Sequence, residues 1–313
     1  YLNLEEVVIT ATRSEVPVYK SPVIVSRISS KSFETTQTLA LSEGLNFTPG
    51  LRLETNCQNC GFTQVRMNGL EGPYSQILIN SRPIFSALVG VYGLDMLPAN
   101  MIDRVEVVRG GGSALYGGSA IAGTINIITK DPMENSFSIG TNYSFVDFEV
   151  PDRTFNVNGS IVNEKFDKGI SFYAYNRDRK PFDANDDGFS EMTKLKNTTF
   201  GFDAYWNTSD LSKLKLNMFN ISEFRRGGNH FHLPAHQTDV TEQLDHKILG
   251  GGASFEKYSS DFKHKYSLYT SAQKAERNSY YGGGGRILQP GEELTPEDIL
   301  ALNAYGNSDD ISI

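Results

Sequence analysis

Apolar and polar residues alternate with a period of two through most of the C-terminal half of the chain. Phe200, Phe202 and Trp206 fall on one face of an extended segment, and Asp203 falls on the other. This alternation predicts strands with one apolar face and one polar face. Seven such strands are predicted, near residues 137–147, 153–163, 169–179, 195–207, 212–225, 243–257 and 261–276.

The segments that join these predicted strands are alternately short and long. The short ones are residues 163–168, 208–211 and 258–260, and the long ones are 180–194, 226–243 and the chain from 277 onward. Transmembrane β-barrels have short periplasmic turns and long external loops. The pattern therefore favours a barrel over a soluble β-sandwich. A mean hydropathy of −0.35 does not oppose this, because alternating strands dilute hydropathy.

The first 130 residues have a mixed pattern instead. Strand-like runs at 22–28, 63–69, 76–83, 105–108 and 124–129 are separated by helical spacing at 39–45 and a helical turn at 98–103. Such a mixture predicts a separate α+β domain.

A glycine-rich segment, residues 105–130, connects the two parts. It runs from Val105-Glu-Val-Val-Arg109 through glycines to Thr124-Ile-Asn-Ile-Ile-Thr129. It lacks the Gly-Lys-Ser/Thr of a P-loop, and Leu115 replaces the third glycine of the dinucleotide pattern. Together with Arg66-Met-Asn-Gly69 and the Ile77-Leu-Ile-Asn-Ser-Arg-Pro83 run, it resembles the plug domain of TonB-dependent outer-membrane receptors.

The resemblance implies a fold and a domain order. Residues 1–16 would be the TonB box and a linker, 17–132 an α+β plug domain, and 133–313 the first antiparallel strands of a transmembrane β-barrel. A plugged barrel has about 22 strands, so seven strands cannot enclose a plug. We therefore expect an incomplete barrel, with Ile313 inside an external loop at a truncation, a disordered break or a proteolytic nick. A second chain that carries the rest of the barrel is one expected partner.

The family implies active uptake of a scarce nutrient across the bacterial outer membrane, with membrane lipid around the barrel. Receptors of this family are driven by the C-terminal domain of TonB, which pairs with the TonB box by strand addition. The box is predicted at Glu6, Val7, Val8, Ile9, Thr10 and Ala11. A passive porin or adhesin barrel is the alternative from another class.

The nutrient is predicted from two loops, residues 85–94 and the acidic loop 183–188. Residues 85–94 resemble the apical loop of cobalamin receptors, so cobalamin or another corrinoid ranks first, and haem or an iron chelate ranks second. A surface lipoprotein lid is a further partner to consider. Ligand contacts are predicted at Cys57, Gln58, Asn59, Tyr74, Phe85, Ser86, Val91, Tyr92, His230 and His232. The two histidines are interpreted either as metal or haem ligands or as polar contacts.

An acidic loop begins at Asp183 and ends at Gly188. Its alternate oxygen-bearing residues suit calcium, although Lys194 stands where an EF-hand has its acid. A similar acidic loop binds calcium in cobalamin transporters of this family. A structural calcium ion is therefore predicted on Asp183, Asn185, Asp187, Asp239 and Asp245, and the alternative is a solvated acidic turn.

The two cysteines, Cys57 and Cys60, form a C-x-x-C pair. A redox centre, half a metal site and a small disulfide loop are all compatible with that spacing. An oxidising periplasm favours a disulfide between them.

The family resemblance implies that two plug arginines, Arg66 and Arg109, pair with acids of the barrel and hold the plug closed. Those acids are expected in barrel sequence that this chain lacks. The net charge of −8 argues against a nucleic-acid partner. The sequence contains no nucleophile elbow and no His-Glu-x-x-His motif, so no enzymatic activity is predicted.

Overall fold

A computed structural model of the chain describes residues 6–57, 61–83, 93–289 and 291–313. The described residues form an N-terminal unit, residues 6–130, and a large antiparallel sheet, residues 136–312. The strands of the N-terminal unit are β1 (Val7–Val8), β2 (Val16–Pro17), β3 (Val25–Ser29), β4 (Leu51–Cys57), β5 (Phe62–Met67), β6 (Ser75–Ile79), β7 (Ile102–Arg109) and β8 (Gly123–Thr129). Its α-helices are Ser30–Thr35, Leu41–Leu45, Gly93–Met96 and Ser113–Tyr116.

A mixed four-stranded sheet, in the order β3-β7-β8-β6, forms the centre of the N-terminal unit. Strand β8 pairs parallel with β6 and antiparallel with β7, and all of its residues are buried. Its run of isoleucine and threonine residues fits a strand that is covered on both faces. The hairpin β4-β5 lies apart from this sheet, and the sequence pattern did not predict β4.

The large sheet consists of eight strands, each antiparallel to the next. They are β9 (Ser136–Val146), β10 (Val150–Val162), β11 (Lys168–Arg179), β12 (Lys194–Ser209), β13 (Ser212–Gly228), β14 (Thr241–Tyr258), β15 (Lys265–Gly282) and β16 (Tyr305–Ser312). The predicted fold class is therefore confirmed.

The prediction of seven strands was wrong at its C-terminal end. Residues 305–312, which the sequence assigned to an external loop, pair with β15, and Ile313 follows β16 directly. The segment is polar and lacks alternation, so its pairing depends on the neighbouring strand. Strand β15 begins at Lys265 rather than near 261, because the N–H of Ser259 donates to the carbonyl of His264 and closes a turn first.

The inner and outer faces of the large sheet differ in burial. Along β12, Phe200 and Trp206 are exposed, whereas Asn197, Thr199 and Asp203 are buried. Among the described helices, including Pro296–Leu302 in the loop before β16, none is long and apolar enough to cross a membrane.

One hydrophobic cluster joins the N-terminal unit to the large sheet. It includes Met101 and Ile125 of the unit together with Tyr173, Phe219 and Ile248 of the sheet. Because these residues are buried by one another, the unit packs against the inner face of the sheet. This packing places polar side chains of both parts within hydrogen-bonding distance.

Candidate functional site

The predicted TonB box is packed onto the N-terminal unit. Val7 and Val8 pair with Pro17 and Val16 as strands β1 and β2. The N–H groups of Ile9 and Thr10 then each donate to Oε2 of Glu106 over 2.9 Å. The hydroxyl of Thr10 donates to the same oxygen over 2.6 Å. One carboxylate oxygen therefore accepts three hydrogen bonds from the box.

Glu106 is fully buried, and its charge is balanced by Arg104. The Nε–H of Arg104 donates to Oε1 of Glu106 over 2.9 Å. Burial opposes the positive charge of Arg104, but hydrogen bonds to Asp103 and Glu106 raise the pKa of the guanidinium above its ordinary value. Arg104 therefore stays charged and supplies the counter-charge of Glu106 inside the unit.

Two further side chains hold Thr10. The hydroxyl of Tyr116 donates to the Thr10 carbonyl over 2.9 Å, and Nδ2 of Asn126 donates to the Thr10 hydroxyl over 2.9 Å. Burial raises the pKa of Tyr116, so the phenol stays a donor. Thr10 is only 1% exposed, and the adjacent Arg13 lies over the Tyr116 ring.

On the inner face of the large sheet, the strand register aligns polar residues in one row, named here the inner polar row. Each member lies directly opposite the next on the neighbouring strand, and the period-two alternation points all of them inward. The inner polar row comprises Thr154, Arg177, Asn197, Glu223, His246, Arg277 and Ser308. Nδ2 of Asn197 donates to the Met96 carbonyl over 3.2 Å, which docks the helix Gly93–Met96 on the row.

Two arginines of the large sheet form ion pairs with the N-terminal unit. Arg177 pairs with Asp152 of the sheet at 2.7 Å and with Glu43 of the unit at 3.4 Å. Arg225 pairs with Glu223 of the sheet at 2.9 Å and with Asp95 of the unit at 3.3 Å. Each arginine thus has one partner in each part of the protein.

Within the described residues, Arg66 and Arg109 make their contacts inside the N-terminal unit, and their predicted pairing with barrel acids beyond this chain stays a prediction. Arg66 pairs with Glu54, which lies on the opposite strand of the hairpin β4-β5, and with Glu71 at 3.4 Å. Arg109 is exposed and lies against Gly50 of the same unit. The ion pairs between the two parts have the reverse polarity, with arginines on the sheet and acids on the unit.

Most of the predicted ligand contacts fall outside the described residues. Gln58, Asn59, Phe85, Ser86, Val91 and Tyr92 belong to this group. Cys60, the predicted disulfide partner of Cys57, also lies outside the described residues. The disulfide between Cys57 and Cys60 therefore stays a prediction.

The structure separates the remaining predicted contacts. The Tyr74 carbonyl accepts hydrogen bonds from Ile121 and Ala122, which places this residue beside the segment that carries Tyr116. His230 and His232 lie in the loop 229–240 with their ring centroids 6.0 Å apart, and Nε2 of His230 is 3.4 Å from Oδ2 of Asp239.

The acidic loop gathers three carboxylates, those of Asp183, Asp187 and Glu191, whose oxygens lie within 4.8 Å of one another. Residues Phe182 and Met192 form a bridge that closes the base of the loop, and this bridge brings Glu191 to Asp183. The sequence prediction missed Glu191. Asn185 is a neighbour, because its Nδ2 donates to Oδ2 of Asp187 over 3.1 Å.

The structure does not place Asp239 and Asp245 with this group. Asp239 accepts a hydrogen bond from Nδ2 of Asn229 over 2.6 Å and lies beside His230 in its own loop. Asp245 lies within β14, opposite Phe224. Their assignment to the calcium site is therefore corrected, because local pairing within loop 229–240 and strand pairing hold them elsewhere.

Comparison with protein families decides the identity of the N-terminal unit. A family model described as the TonB-dependent receptor plug domain matches residues 17–124. Residues 17–124 are a TonB-dependent receptor plug domain. The N-terminal unit thus consists of the plug and the segment predicted to be the TonB box, and the large sheet is a part of the barrel.

Known proteins similar to this chain include vitamin B12 transporters named BtuB. The one from Photobacterium profundum is 25% identical over 211 residues, which cover 64% of this chain and 34% of that protein. The one from Vibrio cholerae is 23% identical over 309 residues, which cover 96% of this chain and 48% of that protein. The chain therefore spans between a third and a half of the length of these relatives.

A solved structure with the same fold is a ferric enterobactin receptor, PfeA, from Pseudomonas aeruginosa. It superposes with a TM-score of 0.68 at 16% identity and covers 94% of this chain and 45% of that receptor. The plug and barrel fold is thus shared, and the chain belongs in the bacterial outer membrane.

Sequence reasoning missed the side chains that join the plug to its box and to the barrel. One signal was available for Glu106, an acid in the otherwise apolar run 105–108. A charged residue in a buried strand requires a partner. Arg177 and Arg225 gave no comparable signal, since charged residues are ordinary on the polar face of a barrel strand.

Proposed function

We propose that the chain is part of a TonB-dependent receptor that captures a scarce nutrient outside the cell and imports it actively. The observation that carries this proposal is the packing of the TonB box onto the plug. Residues 6–11 lie shortly before the plug-domain match, which begins at residue 17, and Thr10 is held by polar contacts to Glu106, Tyr116 and Asn126. Such contacts can be exchanged for main-chain hydrogen bonds to a partner strand.

The partner in this proposal is the C-terminal domain of TonB, which would add to the box once the box leaves the plug. Val8 is fully buried and Thr10 nearly so, which supports a resting state in which the box is withheld. A passive porin or adhesin has no use for such a segment.

Deletion of residues 6–11 from the receptor, expressed from its complete gene, tests active transport. Nutrient binding to cells is expected to persist while energised uptake stops. Val8→Pro should act in the same way, because proline cannot donate a main-chain hydrogen bond to an added strand. Uptake that survives both changes would favour the passive barrel.

The proposed nutrient is cobalamin or another corrinoid. The names of the vitamin B12 transporters among the relatives support this choice, together with the acidic loop 183–191. An iron chelate is the second candidate, supported by the similarity to the ferric enterobactin receptor. Haem is a third, for which His230 and His232 would be the contacts to test.

Equilibrium binding of cyanocobalamin and ferric enterobactin to the purified complete receptor separates these candidates. Tight binding of cyanocobalamin alone would support the corrinoid proposal, and tight binding of ferric enterobactin alone would replace it with siderophore uptake. A Soret shift on addition of haem would instead indicate a haem receptor.

Calcium is the proposed ion of the acidic loop. Asp183, Asp187 and Glu191 offer three hard carboxylate ligands of the type that calcium prefers. Asn185 lies beside them, and its amide oxygen accepts a hydrogen bond from the N–H of Asp187. Three like charges within 4.8 Å repel one another, so a divalent cation would stabilise this arrangement. The ion would order a loop on the side of the barrel where the nutrient arrives.

A further inference from the structure

The guanidinium of Arg225 joins three segments that are distant in sequence. Its Nη1 donates to the carbonyl of Gly61 and to Oδ2 of Asp95, and its Nη2 donates to Oε1 of Glu223. Only 5% of the Arg225 side chain is exposed. Gly61 begins the plug segment that contains β5, Asp95 lies in the helix Gly93–Met96, and Glu223 lies on the barrel strand β13.

Asp95 extends this connection within the plug. The hydroxyl of Ser42 donates to Oδ1 of Asp95, so the helix Leu41–Leu45 is tied to the same carboxylate. Gly61 also approaches the barrel closely, because a Cβ atom at this position would lie 2.7 Å from Oγ1 of Thr193. Arg225 is therefore the charge at which two plug segments meet one barrel strand.

Glu223 is a second counter-ion for Arg225, so the contact between Arg225 and Asp95 can be broken at a limited cost. It is fully buried and lies two residues before Arg225 on the same face of β13. Because Arg225 keeps Glu223 as a counter-ion, loss of Asp95 does not leave a buried guanidinium without an anion. The cost of breaking the plug contact is therefore smaller than the cost of removing the arginine itself.

We propose that Arg225 is a positioning residue that couples the plug segment beginning at Gly61 to the helix Gly93–Met96, and thereby sets the geometry of the nutrient-binding side of the plug. Gly61 and Gly93 are the first described residues after two of the segments that the sequence predicts to contact nutrient. The role in nutrient binding rests on the proposed function, whereas the coupling of the two segments does not.

The decisive variant is Asp95→Asn, and Glu43→Gln is its matched control. Both remove one plug acid from an arginine that keeps its own barrel acid, and the two ion pairs have similar lengths of 3.3 and 3.4 Å. Hydrogen exchange of the complete, nutrient-free receptor is measured by mass spectrometry. Asp95→Asn is expected to speed exchange about 3- to 10-fold both in 93–101 and in 61–67, because asparagine still accepts a hydrogen bond and the loss is on the scale of one ordinary net hydrogen bond. Glu43→Gln should leave both segments unchanged.

Faster exchange confined to 93–101, or an equal effect of Glu43→Gln, would overturn the coupling. Arg225→Lys provides a second route, since lysine keeps a charge beside Glu223 but lacks the planar fork that reaches two acceptors at once. It should also affect both segments, and its combination with Asp95→Asn should add less than the two single effects summed. Full additivity would contradict the proposal.

Cyanocobalamin and ferric enterobactin are then used as binding probes. For the probe that binds the wild type, Asp95→Asn is expected to raise Kd about 3- to 10-fold, whereas Glu43→Gln should not change it. Unchanged affinity in Asp95→Asn would overturn the role of Arg225 in the nutrient site. If neither probe binds the wild type, the proposed nutrient fails, and the exchange measurement alone decides the coupling.

Discussion

Glu106 binds Thr10 through a single carboxylate oxygen, which lies 2.9 Å from the backbone nitrogen and 2.6 Å from the hydroxyl of Thr10. The two residues are 96 positions apart in sequence and almost completely buried. This contact fixes the predicted TonB box to the central sheet of the plug. Because the acceptor is charged, each bond is stronger than one between neutral groups.

Glu106→Gln should therefore loosen the box without altering the shape of the plug. Loss of the charge weakens three hydrogen bonds, and we expect hydrogen exchange at residues 7–10 to accelerate roughly 10- to 100-fold, corresponding to about 1.5–3 kcal/mol. Glu6→Gln is the control, because its ion pair with Arg27 is exposed and contributes little. Unchanged exchange in Glu106→Gln would show that β1 pairing alone holds the box.

Gly61→Ala should weaken the docking of the plug to the barrel. Gly61 has φ +56°, and an added Cβ would also press on the Thr193 hydroxyl, which Arg179 already engages over 3.1 Å. Gly69→Ala is the matched control, since Gly69 has φ +84° but nothing within 4 Å of the added atom. Backbone strain costs about 1–2 kcal/mol in each variant, and only Gly61→Ala adds the contact. If Gly61→Ala and Gly69→Ala lowered the urea midpoint of plug unfolding equally, the close approach of Gly61 to Thr193 would be contradicted.

Calcium binding should depend on Glu191 and not on Asp239. In calorimetry on the purified receptor, Glu191→Gln and Asp187→Asn are expected to weaken calcium binding about tenfold or more, because each removes one charged ligand. Asp239→Asn keeps the three clustered carboxylates and should bind like the wild type. A wild-type receptor that releases no heat with calcium would leave the loop as a solvated acidic turn.

The loop before β16 should open in acid. The helix Pro296–Leu302 begins with a capping box in which the N–H of Thr295 donates to Asp298. That hydrogen bond, supported by Arg286, lowers the pKa of the Asp298 carboxyl. A lowered pKa stabilises the folded loop above the unfolded pKa of about 3.9, and this stabilisation is lost as the pH falls through the folded value.

Exchange of residues 291–304, corrected for intrinsic rates, measures this opening between pH 3 and 7. Protection is expected to fall below about pH 4, and Asp298→Asn should abolish most of the pH dependence. The N–H of Gln289 lowers the pKa of Glu292 as well, so this carboxylate can contribute to the pH dependence. The variant Glu292→Gln measures that contribution. Equal protection of the wild type at both ends of the range would exclude Asp298 as the cause.

Period-two alternation was sufficient to predict strands β9 to β14, because apolar and polar side chains alternate along much of each strand. It failed for β16, where Asp309 and Asp310 interrupt any apolar face and pairing with β15 decides the structure. Strand β4 was missed for a related reason, since its partner β5 is its main support.

The candidate site was less predictable than the fold. The box and the acidic loop are contiguous in sequence, so their residue types alone indicate their chemistry. The ion pairs of Arg177 and Arg225 with plug acids join residues 130 or more positions apart, and only the packing of plug on barrel brings them together. The local sequence does not predict which inward-facing arginine of the barrel pairs with which acid of the plug.

The burial of Val8 and Thr10 makes the plug a competitor of any partner that needs the same stretch of backbone. A receptor whose box is free in one molecule of a hundred would show a partner affinity about a hundredfold below that of the free peptide. The resting plug would then behave as an intramolecular inhibitor, to which the buried carboxylate of Glu106 contributes three hydrogen bonds. The inhibition can be measured by titrating the partner against the receptor and against a peptide of the box. The ratio of the two dissociation constants gives its strength.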